Sequence, residues 1–118
     1  MAHLLLIDDE EEILKSLSKG LSYLGYSVKV AHDGEQGIRV FDQGNDFDCV
    51  ITGIRMPRMS GNAVARYIRN SLRPHTPVVA ITGASEDAID KEFFNSYLIK
   101  PFRLKSLIDL IGSLNKSH

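Results

Sequence analysis

Five short apolar runs punctuate the chain, at residues 3–7, 27–31, 48–52, 78–82 and 97–99. The first, third and fourth are almost continuously apolar, which is the pattern of parallel strands buried on both faces. The run at 27–31 is the weakest. Longer segments with helical spacing separate the runs. In residues 10–24, Ile13, Leu14, Leu17, Leu21 and Leu24 share one face, Glu11 and Lys15 pair on the other, and Gly25 supplies a stop. Residues 34–43 predict a short second helix through Ile38 and Phe41. Residues 61–72 predict a third that buries Ala63, Val64, Tyr67, Ile68 and Leu72 and is closed by Pro74 and Pro77. A fourth is expected over 85–94, capped by Ser85 with Glu86 and Asp87 in its first turn. The fifth, over 103–114, turns Leu104, Leu107, Ile108 and Ile111 inward.

Strand and helix alternate throughout, so right-handed crossovers would place helices on both faces of one sheet. The fold class is α/β, a flavodoxin-like (βα)5 doubly wound parallel sheet of five strands in the order 2-1-3-4-5. The length of 118 residues fits a single domain, 1–118, with a core that needs no disulfide or metal staple. A formal net charge of -1 gives no bulk attraction to nucleic acid or to an anionic membrane. The lone Cys49 rules out an intrachain disulfide and reads as a small buried hydrophobe rather than a reactive thiol. No apolar run approaches the ~20 residues of a membrane helix. The N-terminus lacks a signal-peptide pattern, so a cytoplasmic location is expected.

In such a sheet the chemistry gathers at the carboxyl ends of the strands. Asp8 and Asp9 follow the first, Thr52, Gly53 and residues 54–57 the third, Thr82 the fourth, and Lys100-Pro101 the fifth. Adjacent carboxylates repel, and a hard cation such as Mg²⁺ would relieve the repulsion. The plainer reading is that Asp9 caps the first helix, with Glu12 three residues on, and that Asp8 is solvated. Lys100, fixed by Pro101, is placed to meet an anion or is a solvated surface charge. Thr82 donates to the same anion or satisfies local backbone. No glycine-rich phosphate loop of the dinucleotide or P-loop type follows any strand.

Over nearly its whole length the chain resembles response-regulator receiver domains of two-component phosphorelays. The resemblance is carried by Asp8-Asp9, by Ile54-Arg55-Met56-Pro57-Arg58-Met59-Ser60-Gly61, by Thr82 after Ala80-Ile81, and by Tyr97-Leu98-Ile99-Lys100-Pro101-Phe102. It implies a signalling module rather than an enzyme. Asp8, Asp9 and the backbone carbonyl near Arg55 would hold Mg²⁺. Thr82 and Lys100 would contact a phosphoryl group, Thr82 and Tyr97 would form a switch pair, and the Lys100-Pro101 bond would be cis. The implied partners are a sensor histidine kinase or another signalling protein, with an output partner on the face of the fourth helix, fifth strand and fifth helix. Neither nucleic acid nor membrane is expected as a direct partner.

Two features depart from the family pattern. The residue before Ile54-Arg55-Met56-Pro57 is the phosphate-accepting aspartate in this family, and here it is Gly53. Glycine has no side chain to form an aspartyl phosphate or to ligate a metal. The chain therefore reads as a pseudo-receiver that is not phosphorylated at position 53, with a weakened Mg²⁺ site. Second, only 17 residues, positions 83–99, separate Thr82 from Lys100, so the fourth helix or its exit should be short. The alternative function is a Mg²⁺-dependent phosphohydrolase built on Asp8. Against it, Thr82-Gly83-Ala84-Ser85 supplies no further carboxylate after the fourth strand.

Overall fold

Strands β1 (His3–Ile7), β2 (Ser27–Ala31), β3 (Cys49–Gly53), β4 (Val78–Thr82) and β5 (Ser96–Ile99) form one sheet in the computed structural model, which describes residues 2–43 and 46–115. The order is β2-β1-β3-β4-β5 and every pairing is parallel. Successive side chains of a strand face opposite ways. Leu4 and Leu6 accordingly enter one core and Leu5 and Ile7 the other, all fully buried. β2 lies at an edge and leaves Ser27, Lys29 and Val30 exposed, which is why its apolar pattern is weak.

Helices α1 (Glu11–Tyr23) and α4 (Leu104–Asn115) cover the first face, with Leu14, Leu17, Leu21, Leu107 and Ile111 against the strands. Helices α2 (Gly34–Asp42) and α3 (Gly61–Arg69) cover the second through Phe41, Val64, Ala65 and Ile68. The side chains of Asp33 and Ser60 cap α2 and α3, accepting from Gln36 N at 2.8 Å and Ala63 N at 3.2 Å. Past α1, Gly25 takes a φ of 99°, a left-handed turn that glycine adopts without strain.

The structure corrects several expectations. Residues 85–94 are not an α-helix. They form two 3-10 turns, Glu86–Ala88 and Lys91–Phe93, and Ser85 makes no side-chain cap bond. The cause is length. Running back along a five-residue strand spans about 17 Å, which takes ~11 residues of α-helix plus a turn at each end. Only positions 83–95 lie between β4 and β5, and the more stretched 3-10 geometry covers the distance with fewer residues. The segment is tied down at its middle and at its far end. Asn62 of α3 donates to Ala88 O and accepts from Asp90 N, each at 2.9 Å. Asn95 Oδ1 accepts from Val78 N and from Arg69, each at 2.8 Å.

α3 stops at Arg69, short of residue 72. The Arg69 guanidinium donates to the carbonyls of Pro74 at 2.9 Å and Thr76 at 2.7 Å, so the chain wraps around it instead of continuing the helix. Leu72 is thereby left fully exposed, not buried. Tyr67 also faces outward, and its hydroxyl donates to Asp42. Leu24 lies beyond the last turn of α1 and is half exposed. Glu11 pairs with His32 of the neighbouring turn at 2.7 Å rather than with Lys15. Among the described residues no helix is long and apolar enough to cross a membrane.

Candidate functional site

The carboxyl ends of β1, β3 and β4 and the turn after β5 surround a cavity of about 280 Å³, lined by Asp8, Asp9, Glu10, Gly53, Thr82 and Lys100 among others. Arg55 also borders it and is otherwise exposed. The four segments singled out in the sequence thus meet in one place. The apolar strands do this work: each ends at the same level of the sheet, and the next residue emerges from the core.

Asp8 is 1% exposed. Its Oδ1 accepts from Glu10 N–H at 3.0 Å and its Oδ2 from Lys100 Nζ at 3.1 Å. The same ammonium donates to Glu10 Oε1 at 2.6 Å. Burial raises the Asp8 carboxyl above its ordinary value, and the bonds from Glu10 N–H and Lys100 only partly oppose this. Burial alone would lower Lys100, but its bonds to Glu10 and Asp8 and their charges outweigh it, so the ammonium is held above the ordinary lysine value. The Lys100 backbone N–H donates to Thr82 O at 2.8 Å, and the Lys100-Pro101 bond is cis. Lys100 is therefore not a solvated surface charge; it lines the cavity with its ammonium bonded to Asp8 and Glu10.

Asp9 is exposed and does not cap α1. The capping position is Glu10, with no side-chain bond, and Asp8 accepts the local N–H instead. Nor is Asp8 solvated.

Gly53 is the last residue of β3, pairs with Ile81 and is buried. Its φ lies outside the left-handed region, so the backbone does not require glycine there. A Cβ at this position would stand 3.1 Å from Asp8 Oδ2 and 3.2 Å from Asp8 Cγ. The Asp8 carboxylate thus crowds the space a side chain at 53 would enter. On the other side, Gly61 brings the start of α3 against the end of β3. A Cβ on Gly61 would lie 1.9 Å from Gly53 O, while Gly61 N donates to Ile54 O at 2.8 Å.

Thr82 is 4% exposed, and its hydroxyl oxygen accepts from Ala84 N at 3.0 Å. The Tyr97 hydroxyl donates to the Glu86 carboxylate. Glu86 also accepts from Lys91 Nζ at 2.7 Å, and that ammonium sits 5.4 Å from the Tyr97 ring centroid. The bonds from Lys91 and Tyr97 hold the Glu86 carboxyl below its ordinary value, and the bond to Glu86 raises the Tyr97 hydroxyl. The reading of the sequence missed Glu10, Glu86 and Lys91. Glu10 was visible as a third acid after Asp8-Asp9. Glu86 and Lys91 are five residues apart, a spacing that does not face on an α-helix and meets only because the segment is not one.

Among the described residues no group of three or more His, Cys, Asp or Glu side chains is arranged to hold a metal ion. Both oxygens of Asp8 are engaged, and Glu10 is drawn to Lys100. The residues present do not fit a divalent site of the three-carboxylate kind. Cys49, fully buried, is inert, since burial pushes its thiol up to about 12.

Residues 4–112 match the family model described as the response regulator receiver domain. The chain is 36% identical over 117 residues to a probable transcriptional regulator, ycf27, of Cyanidium caldarium, covering 95% of this chain and 45% of that protein. It is 31% identical over 117 residues to the response regulator MprA of Mycobacterium avium, covering 94% of this chain and 50% of that protein. The chain thus spans about half the length of the curated relatives it matches. A response regulator receiver domain protein of Clostridium thermocellum superposes with a TM-score of 0.90 at 32% identity, covering 98% of this chain and 95% of that one. The response regulator TrrA of Thermotoga maritima, in complex with Mg²⁺ and BeF, superposes at 0.87 with 30% identity, covering 97% and 99%.

Proposed function

The chain belongs to the response regulator receiver domain family of two-component signalling, and from that premise we propose that it signals by binding partners without taking a phosphoryl group at position 53. The observation that carries this reading is Gly53 itself, which stands at the end of β3 beside Asp8 with no side chain to attack a phosphoryl donor. Thr82 and Lys100, the phosphoryl-contacting pair in the family, are bonded to Ala84 N and to Asp8 and Glu10. Any Mg²⁺ taken by Asp8, Asp9 and the Arg55 carbonyl is weak and serves no phosphoryl chemistry. The domain extends over 1–118 as one unit and works in the cytoplasm.

The partners are a sensor histidine kinase or another signalling protein. The output partner docks on the face built by the 83–95 segment, β5 and α4. Tyr97 belongs to that face, and its bond to Glu86 sets the face's resting shape. The domain's conformational equilibrium is then moved by whatever binds there, because a ligand shifts an equilibrium only by its differential affinity for the two states. A hydrolase centred on Asp8 is disfavoured because Thr82-Gly83-Ala84-Ser85 supplies no further carboxylate after β4 and Lys100 holds Asp8 Oδ2.

The test is exposure of the protein to acetyl phosphate with Mg²⁺, read by intact mass. No phosphoryl increment is expected, and Gly53→Asp is expected to gain one. A phosphoryl group on the unsubstituted chain, at Asp8, Asp9 or Thr52, would overturn the reading.

A further inference from the structure

We infer that the chain pairs with a second copy of itself across the α2–α3 side of the domain, with Leu72 of each copy seated in the other's cavity between Phe41 and Tyr67. The inference stands apart from the reading of position 53 and from the output face.

Leu72 is 101% exposed, the most exposed large hydrophobic side chain among the described residues. A side chain so placed adds nothing to the core, and the turn that carries it does not need it either. The bracing bonds bypass it. Arg69 donates to Pro74 O and Thr76 O. The Ser71 hydroxyl donates to Ile68 O at 2.6 Å and accepts from Arg73 N at 3.1 Å. The Thr76 hydroxyl donates to Arg73 O at 2.9 Å. The turn therefore holds an apolar knob in water at a fixed position, and binding it orders little backbone.

A single exposed leucine is ordinary. This one borders a cavity of about 400 Å³ whose other walls include Phe41, Asp42, Tyr67, Asn70 and Arg73. The Tyr67 ring, on a residue 38% exposed, extends the apolar surface beside it. Knob and socket thus lie next to each other on one patch. A two-fold interface needs that arrangement, since the same patch serves on both sides and each knob meets the other copy's socket. Charge agrees. The rim carries Asp42, whose carboxylate accepts from the Tyr67 hydroxyl, and Arg73, which lies 3.4 Å from Asp46 and 5.4 Å from the Phe41 ring centroid. A patch with both signs meets its own copy without the repulsion that a surface of one sign would bring. Because the pairing closes on itself, its product is a dimer and not a filament. The contact is built from a handful of side chains, so association is weak, on the order of micromolar to millimolar.

The experiment is sedimentation velocity of the unsubstituted chain, Leu72→Ser and Leu72→Met from about 10 µM to about 1 mM. The unsubstituted chain is expected to pass from monomer to dimer over this range, and Leu72→Met to follow it. Leu72→Ser is expected to dimerise at least about tenfold more weakly, since both copies lose their anchor. Thermal melting in dilute solution is expected to coincide for all three, because Leu72 is in water in the monomer. In a mixture of isotope-labelled and unlabelled chains, filtered nuclear Overhauser contacts should join the Leu72 methyls of one copy to the Tyr67 ring of the other. A chain that stays monomeric throughout overturns the inference and leaves the surface to an unlike partner. A dimer that Leu72→Ser does not weaken, or whose filtered contacts omit Leu72, overturns it as well. Growth beyond the dimer overturns the two-fold arrangement. Lower melting of Leu72→Ser in dilute solution would show that the side chain serves the fold, and that too overturns the inference.

Discussion

Placing a carboxylate at position 53 should destabilise the metal-free protein through charge more than through bulk, and two substitutions separate the terms. Gly53→Ala adds only a Cβ. Position 53 has ordinary strand backbone, so alanine gains ~0.5–1 kcal/mol from the unfolded chain. The Cβ contact at 3.1 Å from Asp8 Oδ2 asks the carboxylate to yield a few tenths of an ångström while Lys100 and Glu10 N–H hold it. Such crowding costs on the order of 1 kcal/mol, so the alanine variant should lie within about 1 kcal/mol of the parent. Gly53→Asp adds a charge roughly 4–5 Å from Asp8, worth about 3–4 kcal/mol of repulsion at an effective dielectric of 20. Lys100 is near enough to offset part of this. The aspartate variant should therefore be less stable than the alanine variant by ~1–3 kcal/mol in chelator. The two carboxyls raise each other's folded-state pKa. The penalty is therefore full above that raised value and is relieved as the pH falls below the ordinary carboxylate range. Urea denaturation in chelator, at neutral and at acidic pH, measures both quantities. Equal stability of the two variants at neutral pH, or a gap that persists in acid, would refute the charge argument.

Further expectations concern the short segment and the core. Arg69→Ala removes the donor to Pro74 O, Thr76 O and Asn95 Oδ1 and should cost ~2–4 kcal/mol by urea denaturation; a loss below about 1 kcal/mol would mean the turn after α3 holds without it. The Glu86 carboxyl is depressed, so the stability it lends to the Tyr97 contact is present above the ordinary glutamate range and lost as pH falls through the depressed value. Carboxylate NMR should show Glu86 titrating below an unstructured glutamate and returning to the ordinary value in Tyr97→Phe with Lys91→Ala; an ordinary value in the parent contradicts the contact. Tyr97 is raised, so its half of the contact persists below the ordinary tyrosine value and is lost only as pH climbs through the raised one, which ultraviolet titration against Tyr97→Phe can read. Cys49 should react with thiol reagents only at the rate of unfolding.

Much of this was legible in the chain because burial on both faces writes itself as continuous apolar runs. Leu4 to Ile7 and Val78 to Thr82 left little choice but central parallel strands, and their ends fixed which residues share a pocket. The same strand ends bring Asp8, Thr82 and Lys100 to one cavity. What the sequence concealed depends on chain length and on competition between partners. Glu86 and Asp87 look like the first turn of a helix, but the span from β4 to β5 is too short for one. Leu72 carries a helical spacing that Arg69 cuts off by drawing the following carbonyls onto its guanidinium. The ion pairs of Lys100 with Asp8 and Glu10 were not legible, because spacing along the chain does not show which carboxylates the turn after β5 meets.

The central claim is a receiver pocket that responds to neither a phosphoryl donor nor its mimic. Amide NMR spectra of the unsubstituted protein before and after beryllofluoride with Mg²⁺ test it most directly, since this reagent copies the phosphorylated state without requiring a leaving group. The spectra should coincide at Thr82, Tyr97 and Lys100. Saturable shifts at those three residues, absent from a matched Mg²⁺ control, would contradict the account.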